Sequence, residues 1–409
     1  IGEKELDRRI RCLPPAYGTR HFKTGISTLS QVSGSERKDI ARILLGCLVG
    51  RIPRAAMLTF RSLLDFIYLS QYPTHDESTL GYMEDALKMF HDNKHILEEL
   101  GIREHLNIPK VHSLLHYVDS IRRLGTTDNF NTEMFERLHI DCAKKAWRAS
   151  NHRNARPQMI KWLDRREKRS THLPRSSKTR IKLAKHPSFA RQSLPSIEER
   201  HAAPGFTDAD RANRHLPFGR VEVFHGFKFN NIPLNDNAEE KDGVKARPSS
   251  ADKPARFDTV VVLRGDEAEA TGLQGTRVGR LRVIFQLPKT IRDPTTNLDM
   301  EAPEEWAQEG PLAYVEWYGK LGSTANPVHM MYDVNKLPLP SNGKPQGDVV
   351  PLSSIRQSCQ LIPRFPGPSS LDSLERSVPD DWKSDTVLDC ASKFVLNNWS
   401  SKYAYQTIW

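Results

Sequence analysis

Hydrophobic residues across positions 1–170 recur at the spacing of one helix face. Ile40, Ile43, Leu44, Cys47 and Leu48 follow Ser35-Glu36, and Met57, Phe60, Leu64, Ile67 and Tyr68 follow Pro53, which suits a helix start. Leu80, Met83, Leu87, Phe90 and Leu97 mark a helix over 79–100 that stops at Gly101, and 111–124 form another between Pro109 and Gly125. A helix over 131–149 stacks Phe135, Leu138, Cys142 and Ala146 on one stripe, and a further one is predicted over about 157–168.

The pattern then changes twice. Residues 171–216 are dominated by Pro, Ser, Arg and Lys, lose apolar periodicity and read as a linker. From Phe218 alternation takes over, with Val221, Val223, Phe227 and Phe229, then 259–263, 277–287, 312–318, 330–334 and 349–362, separated by Gly, Pro or Asn. Such a series predicts a compact β-barrel or sandwich of about 150 residues. Residues 387–409 fit either a closing helix or a tail. The expected fold class is α+β, with a helical region at 1–170, a basic linker at 171–216, a β-rich domain at 217–365 and a C-terminal tail at 366–409.

A chain of 409 residues exceeds one ordinary core, in keeping with more than one domain. Seven Trp and a 38% hydrophobic share support folded domains, while 27 Pro point to much irregular connection. No window approaches the roughly 18 apolar residues of a membrane span, so no membrane partner is expected. The sequence opens at Ile1-Gly2 without Met and without anything resembling a signal peptide, which reads as the C-terminal part of a longer protein or a misplaced start. Cys12, Cys47, Cys142, Cys359 and Cys390 are scattered with no Cys-x-x-Cys pair. That argues against a zinc ribbon and a disulfide scaffold and favours a reducing compartment, nuclear or cytoplasmic.

The net charge of +10 is concentrated in one block. Residues 141–200 hold 17 Lys and Arg against 5 Asp and Glu, a local balance of +12 that leaves the rest near neutral. Such a block attracts phosphates through counterion release without reading sequence, and it is equally what a solvated linker looks like. The candidate DNA contacts are Lys144, Lys145, Arg148, Arg153, Arg156, Arg165, Arg166, Lys168, Arg169, Arg180 and Lys182. Arg165-Arg166-Glu167-Lys168-Arg169 and residues 175–185 also resemble a nuclear-import signal, which points to the nucleus.

Just ahead of that block, Glu133, Glu136 and His139 sit at successive three-residue steps on the predicted helix and project from neighbouring positions. Glu136 and His139 could share a metal, and carboxylates are the natural ligands of Mg²⁺ in phosphoryl transfer. A polar helix face that happens to hold Glu and His has the same spacing. Helical di-iron sites need two Glu-x-x-His pairs, and the others here, Glu198 with His201 and Glu222 with His225, fall in the linker and on a strand. His91 with His95 and His112 with His116 have i,i+4 spacing, but no Glu follows the first His of either pair. The zinc-protease signature is therefore absent, and core or interface histidines are expected. Phosphate-loop, dinucleotide-binding and nucleophile-elbow motifs are missing as well. On 312–318, Tyr314, Glu316 and Tyr318 share a strand face that could stack on bases, hold a peptide or pack the β-domain.

Several stretches, in order along the chain, resemble the C-terminal half of Plavaka-type transposases, a fungal group within the Kyakuja-Dileera-Zisupton class of DNA transposons. They are Thr19-Arg20-His21-Phe22-Lys23-Thr24-Gly25-Ile26-Ser27, Leu63-Leu64-Asp65-Phe66-Ile67-Tyr68-Leu69 and Ile108-Pro109-Lys110-Val111-His112-Ser113-Leu114-Leu115-His116-Tyr117. Asn131-Thr132-Glu133, Glu136-Arg137-Leu138-His139-Ile140-Asp141 and Ala149-Ser150-Asn151-His152-Arg153 continue the series. In the β-region, 312–318 and Val350-Pro351-Leu352-Ser353-Ser354-Ile355-Arg356-Gln357-Ser358-Cys359 with Leu361-Ile362-Pro363 look like the same family's tail domain.

The resemblance implies a cut-and-paste DNA transposase with an RNase-H-like catalytic core, of which residues 1–170 would be the C-terminal part with a helical insertion. Such an enzyme uses three acidic residues and two divalent metals, Mg²⁺ or Mn²⁺, to activate water and then a freed 3′-hydroxyl against phosphodiesters. Carried onto this sequence, Glu136 is the metal-binding third acid, with His139 beside it and Glu133 as the alternative. The family's first two aspartates belong upstream of Ile1, so the three-acid site is expected to be incomplete in residues 1–409. The alternative is a co-opted or degenerate DNA-binding scaffold without catalysis. DNA is the expected partner, with a homo-oligomer and a peptide or protein partner of the β-region also open.

Overall fold

A computed structural model describes residues 1–170, 178–182, 220–231, 241–264, 272–292, 298–304, 306, 310–341, 343, 345–366 and 378–408. The side chains of 133–135, 167–170, 178–182 and 292 lie outside that description. The fold is α+β, helical as far as Ser170 and then built mainly of antiparallel sheets with a few short helices. It divides into two compact units, Ile1–Leu64 with Ser177–Trp409, and Asp65–Ser176. No helix among the described residues is long and apolar enough to cross a membrane.

The first helices are α1 (Glu3–Cys12), α2 (Gly34–Leu48), α3 (Arg54–Leu69) and α4 (Glu77–Asn93). Ser33 caps α2 reciprocally: its hydroxyl accepts the Glu36 N–H at 3.3 Å while the Glu36 carboxylate accepts the Ser33 N–H at 2.8 Å. Asp76 caps α4 by accepting the Thr79 N–H at 2.7 Å. Arg9, fully buried on α1, pairs with Glu5 at 3.0 Å and donates to the carbonyls of Cys47 (2.7 Å) and Val49 (3.4 Å). A cation placed there satisfies carbonyls that the end of α2 leaves without helical partners.

Seven strands form the main antiparallel sheet of the larger unit, with Thr276–Gln286 as its axis. Thr259–Leu263 and Arg220–Phe224 pair with its two ends along one edge, and Leu312–Trp317 followed by Gly347–Pro351 lies along the other. Ile355–Cys359 pairs with Thr259–Leu263. Lys178–Lys182, within the expected linker, is a strand on Arg220–Phe224 that sets Arg180 opposite Glu222; the rest of 171–216 lies outside the described residues. Val260, Val261 and Val262, like Leu312, Ala313 and Val315, are all buried, which is why these strands read as continuous apolar runs.

Residues 387–408 are not a tail. The strand Lys393–Leu396 is the centre of a second sheet between Tyr332–Asn335 and Leu361–Pro363, flanked in sequence by the helices Val387–Cys390 and Lys402–Thr407. Phe394, Leu396 and Trp399 have no exposed surface. Asn397 Nδ2 donates to the Arg42 carbonyl (2.9 Å) and to Gln360 Oε1 (2.8 Å), and Gln360 Nε2 donates to the Pro14 carbonyl (3.2 Å). Gly46 of α2 sits so close to Ile362 that a Cβ would run into its Cδ1. Residues 1–64 therefore pack with the β-region, and the helical stretch 1–170 is shared between the units. An apolar stripe shows that a helix has a buried face without showing what covers it.

In Asp65–Ser176, α4 stops at Asn93 and a separate α5 (Ile96–Glu99) follows, so the single helix predicted over 79–100 is two. The helix predicted over 111–124 is α6 (Pro109–Ser113), a 3₁₀ turn (Leu114–His116) and α7 (Tyr117–Leu124). After these come α8 (Glu133–Leu138), a π-helical segment (His139–Lys144), α9 (Lys145–Arg148) and α10 (Ala155–Ser170). Phe66, Leu80, Met83, Leu87, Phe90, Val118 and Ile121 are buried in this unit. From Arg122 to Arg166, Ala146 is the only buried hydrophobic residue among the described ones.

Candidate nucleic-acid interface

The predicted site lies on α8, the π-helical segment, α9 and α10. Hydrogen bonds in a π segment reach one residue further than in an α-helix, so later side chains are turned by about 100° from the α-helical expectation. The predicted stripe breaks here: Leu138 is 49% exposed, Cys142 is exposed and Ala146 alone is buried, while the Phe135 side chain lies outside the described residues.

Asp141, inside the π segment, gathers Lys145 Nζ at 2.5 Å, Arg166 Nη2 at 3.6 Å and Arg137 Nε at 3.7 Å. Arg166 also donates to the Asp141 carbonyl at 3.0 Å and lies over the Trp162 ring at 5.6 Å, which ties α10 to the π segment. The Lys145 hydrogen bond, opposed by desolvation and aided by the charges of Lys145, Arg166 and Arg137, holds the Asp141 carboxyl below its usual range. Two expected DNA contacts, Lys145 and Arg166, are thus paired with Asp141, although both side chains stay about half exposed. Lys144, Arg148, Arg153, Arg156 and Arg165 are exposed and have no acidic partner among the described residues. Lys168 and Arg169 lie on α10, and Arg180 and Lys182 on the Lys178–Lys182 strand of the other unit, with side chains outside the described set.

Lys144 and Arg148 line an open concavity of about 460 Å³ together with His139, Ala143, Trp147 and Met159. Trp147, 48% exposed, stacks on His152 with ring centroids 4.8 Å apart and planes 12° from parallel. His152 (φ 62°) and Asn154 (φ 46°) are left-handed, a conformation that costs a residue with a Cβ about 1–2 kcal/mol. Gln158 on α10 holds this turn: its Nε2 donates to Asn151 Oδ1 (2.7 Å) and to the Arg153 carbonyl (2.8 Å), and its Oε1 accepts the Asn151 N–H (3.1 Å). Ser150 Oγ donates to the Trp147 carbonyl at 2.7 Å and accepts the His152 N–H at 3.3 Å. Sequence reasoning passed over Trp147. Its signal was an aromatic residue set between Lys144-Lys145 and Arg148, the interleaving that nucleic-acid surfaces use.

Glu136 is exposed, and its carboxylate accepts the Thr132 hydroxyl at 3.3 Å. His139, also exposed, opens the π segment and borders the concavity. Glu133 begins α8, with its side chain outside the described set. No group of three His, Cys, Asp or Glu side chains able to hold a metal occurs among the described residues. A two-metal site needs shared carboxylates from several positions, so these residues do not by themselves fit one.

The histidine pairs expected in a core or interface lie largely at the surface. His95, His112 and His116 are exposed and His91, on the helix whose Leu87 and Phe90 face inward, is half-buried. His112 and His116 meet edge-on with their Nε2 atoms 3.3 Å apart. On the aromatic strand, Tyr314 and Tyr318 are buried and Glu316 pairs with Arg282 at 2.6 Å, so this face packs the β-region. No family model, no curated protein and no solved structure matches the chain.

Proposed function

We propose that this chain is the C-terminal part of a Plavaka-type cut-and-paste DNA transposase, acting in the nucleus and holding DNA on the cationic surface of residues 139–166. The observation that carries the reading is the set of exposed cations Lys144, Arg148, Arg153, Arg156 and Arg165, without acidic partners among the described residues, on helices that include stretches resembling that family. Such charge binds phosphates by displacing counterions and offers no base-reading motif. In the same reading, Glu136 is the third acid of a Mg²⁺ or Mn²⁺ site, with His139 beside it and the other acids supplied from outside residues 1–409.

Fluorescence anisotropy with a labelled duplex tests the binding. Affinity should show little sequence preference and fall linearly in log–log terms with salt, and Gln at positions 144, 148, 153 and 156 together should flatten that slope by about 3 to 4. Deleting residues 153–186, which leaves only Lys144 and Arg148 of the five exposed cations, should weaken binding severely. A deletion that binds as tightly as the intact chain sinks the electrostatic reading. Glu136→Gln in a full-length relative should eliminate strand cleavage and leave binding intact; retained cleavage excludes Glu136 from the site.

A second reading is a co-opted DNA-binding or chromatin-associated scaffold, which rests on the same exposed cations and needs no metal site. It predicts DNA binding without cleavage in any longer form of the protein. An upstream reading frame supplying two aspartates in strand context would count against it.

A further inference from the structure

We infer that the Trp147–His152 stack is a platform for an unpaired DNA base, and that the concavity beside it takes single-stranded DNA. The inference rests on the DNA-binding reading above and names the form of substrate at that same surface. Of the two tryptophans here Trp147 is the exposed one, keeping 48% of its area in solvent, while Trp162 is partly buried under Arg166. His152 lies parallel to one face of the indole and fixes its orientation, while Trp147 also borders the concavity. The ring pair is preorganised, because Gln158, Asn151 and Ser150 hold the turn in which His152 and Asn154 are left-handed. Strained backbone of this kind persists where its surroundings over-determine it and clusters at sites that hold ligands.

The rim supplies the matching charge. Lys144 and Arg148 line the same concavity as Trp147, with the exposed Arg153 and Arg156 on the turn and helix that follow. A volume of about 460 Å³ falls within the roughly 300–1,000 Å³ of ligand clefts. In a duplex each base is covered by its neighbours, whereas an unpaired base offers a free π-face to an aromatic ring. A cationic groove with an aromatic platform is the arrangement that binds single strands with little sequence preference.

The test uses the full chain with a DNA strand of about a dozen nucleotides, the corresponding blunt duplex and an RNA strand of the same sequence. Trp147→Ala should weaken single-strand binding about tenfold and duplex binding less than about twofold, with an unchanged salt slope because no phosphate contact is lost. Trp147→Phe should recover most of the loss, and Trp147→Leu, apolar but without a π-face, should not. Lys144→Gln with Arg148→Gln should weaken both DNA forms and flatten the slope. Recovery by Leu, an equal loss on both DNA forms, or no loss overturns the stacking platform and leaves the DNA-binding reading standing. An RNA strand preferred about tenfold over DNA overturns the choice of DNA, and absence of binding to all three probes overturns both readings.

Discussion

The two units spend their hydrophobic residues differently. In Ile1–Leu64 with Ser177–Trp409, Trp399, Phe394, Phe285, Leu281 and Ile284 are enclosed, and strands distant in sequence pair to enclose them. Leu298, Met300 and Leu339 of this larger unit are half exposed or more, but in the much shorter Asp65–Ser176 the same holds, to within a few per cent, for Ile102, Leu115, Leu124, Leu138, Trp147 and Ile160. Their neighbours include the cations without acidic partners. The larger unit encloses most of its apolar residues around its sheets, whereas beyond Ile121 apolar residues and cations share the surface, the combination that the proposed DNA-binding face draws on.

The largest expected effect lies in the larger unit. Trp399→Ala should cost about 3–5 kcal/mol in urea denaturation, because it empties a site packed against Tyr405 and held by the Asn397 cap. A loss below about 1 kcal/mol would dissolve the contrast between the units. Next comes pH. Burial, then the charge of Arg364, set against Asp333 and aided by Arg61, lowers the His329 pKa to about 4, and its Nδ1 accepts the Met331 N–H at 3.2 Å. The fold thus favours neutral imidazole. Its contribution is complete above the unfolded value near 6.5 and is lost as pH falls toward 4, up to about 3 kcal/mol. Denaturation curves across that range should show the loss, and His329→Gln should flatten it; a wild-type curve already flat there would refute the assignment.

Gly46→Ala follows, with an expected cost of about 1–3 kcal/mol although Ala normally favours a helix, since the new methyl meets Ile362. Pairing it with Ile362→Ala should show strong non-additivity in a double-mutant cycle. The smallest effect belongs to the region beyond Ile121: Leu138→Ala should change stability by no more than about 0.5 kcal/mol. A thermal shift equal to that of Trp399→Ala would show Leu138 to be core after all.

How far these features could be read beforehand depended on how local their causes are. Pro53 and the stripe after Ser35 located α2 and α3 because caps and apolar spacing act within one helix. The valines of 259–263 and the 312–317 run announced covered strands. The central place of Lys393–Leu396 was hidden, because its partner Tyr332 is distant in sequence and Phe394-Val395-Leu396 is a short run bounded by Lys393 and Asn397. The π segment was hidden too, since an inserted residue leaves composition unchanged while turning every later side chain. At the candidate site the charge block was plain. What Asp141 pairs away from it, and the stack that depends on a left-handed His152, arise from tertiary placement that residue order does not encode locally.

The central position of Lys393–Leu396, with Asn397 reaching Arg42 and Gln360 reaching Pro14, has a consequence for biosynthesis. At about 5–20 residues per second, α1 and α2 leave the ribosome on the order of 20–70 s before the segment that covers them exists. The intervening unit has α4 and α7 close together in sequence and is free to fold in that interval. α2, which packs against the turn at 398–400 and whose Arg42 carbonyl accepts from Asn397, meanwhile waits without those partners, which makes the N-terminal helices the expected client of a holding chaperone. Nascent chains stalled before residue 393 should stay protease-sensitive across residues 1–64 and become resistant only when the last strand is released.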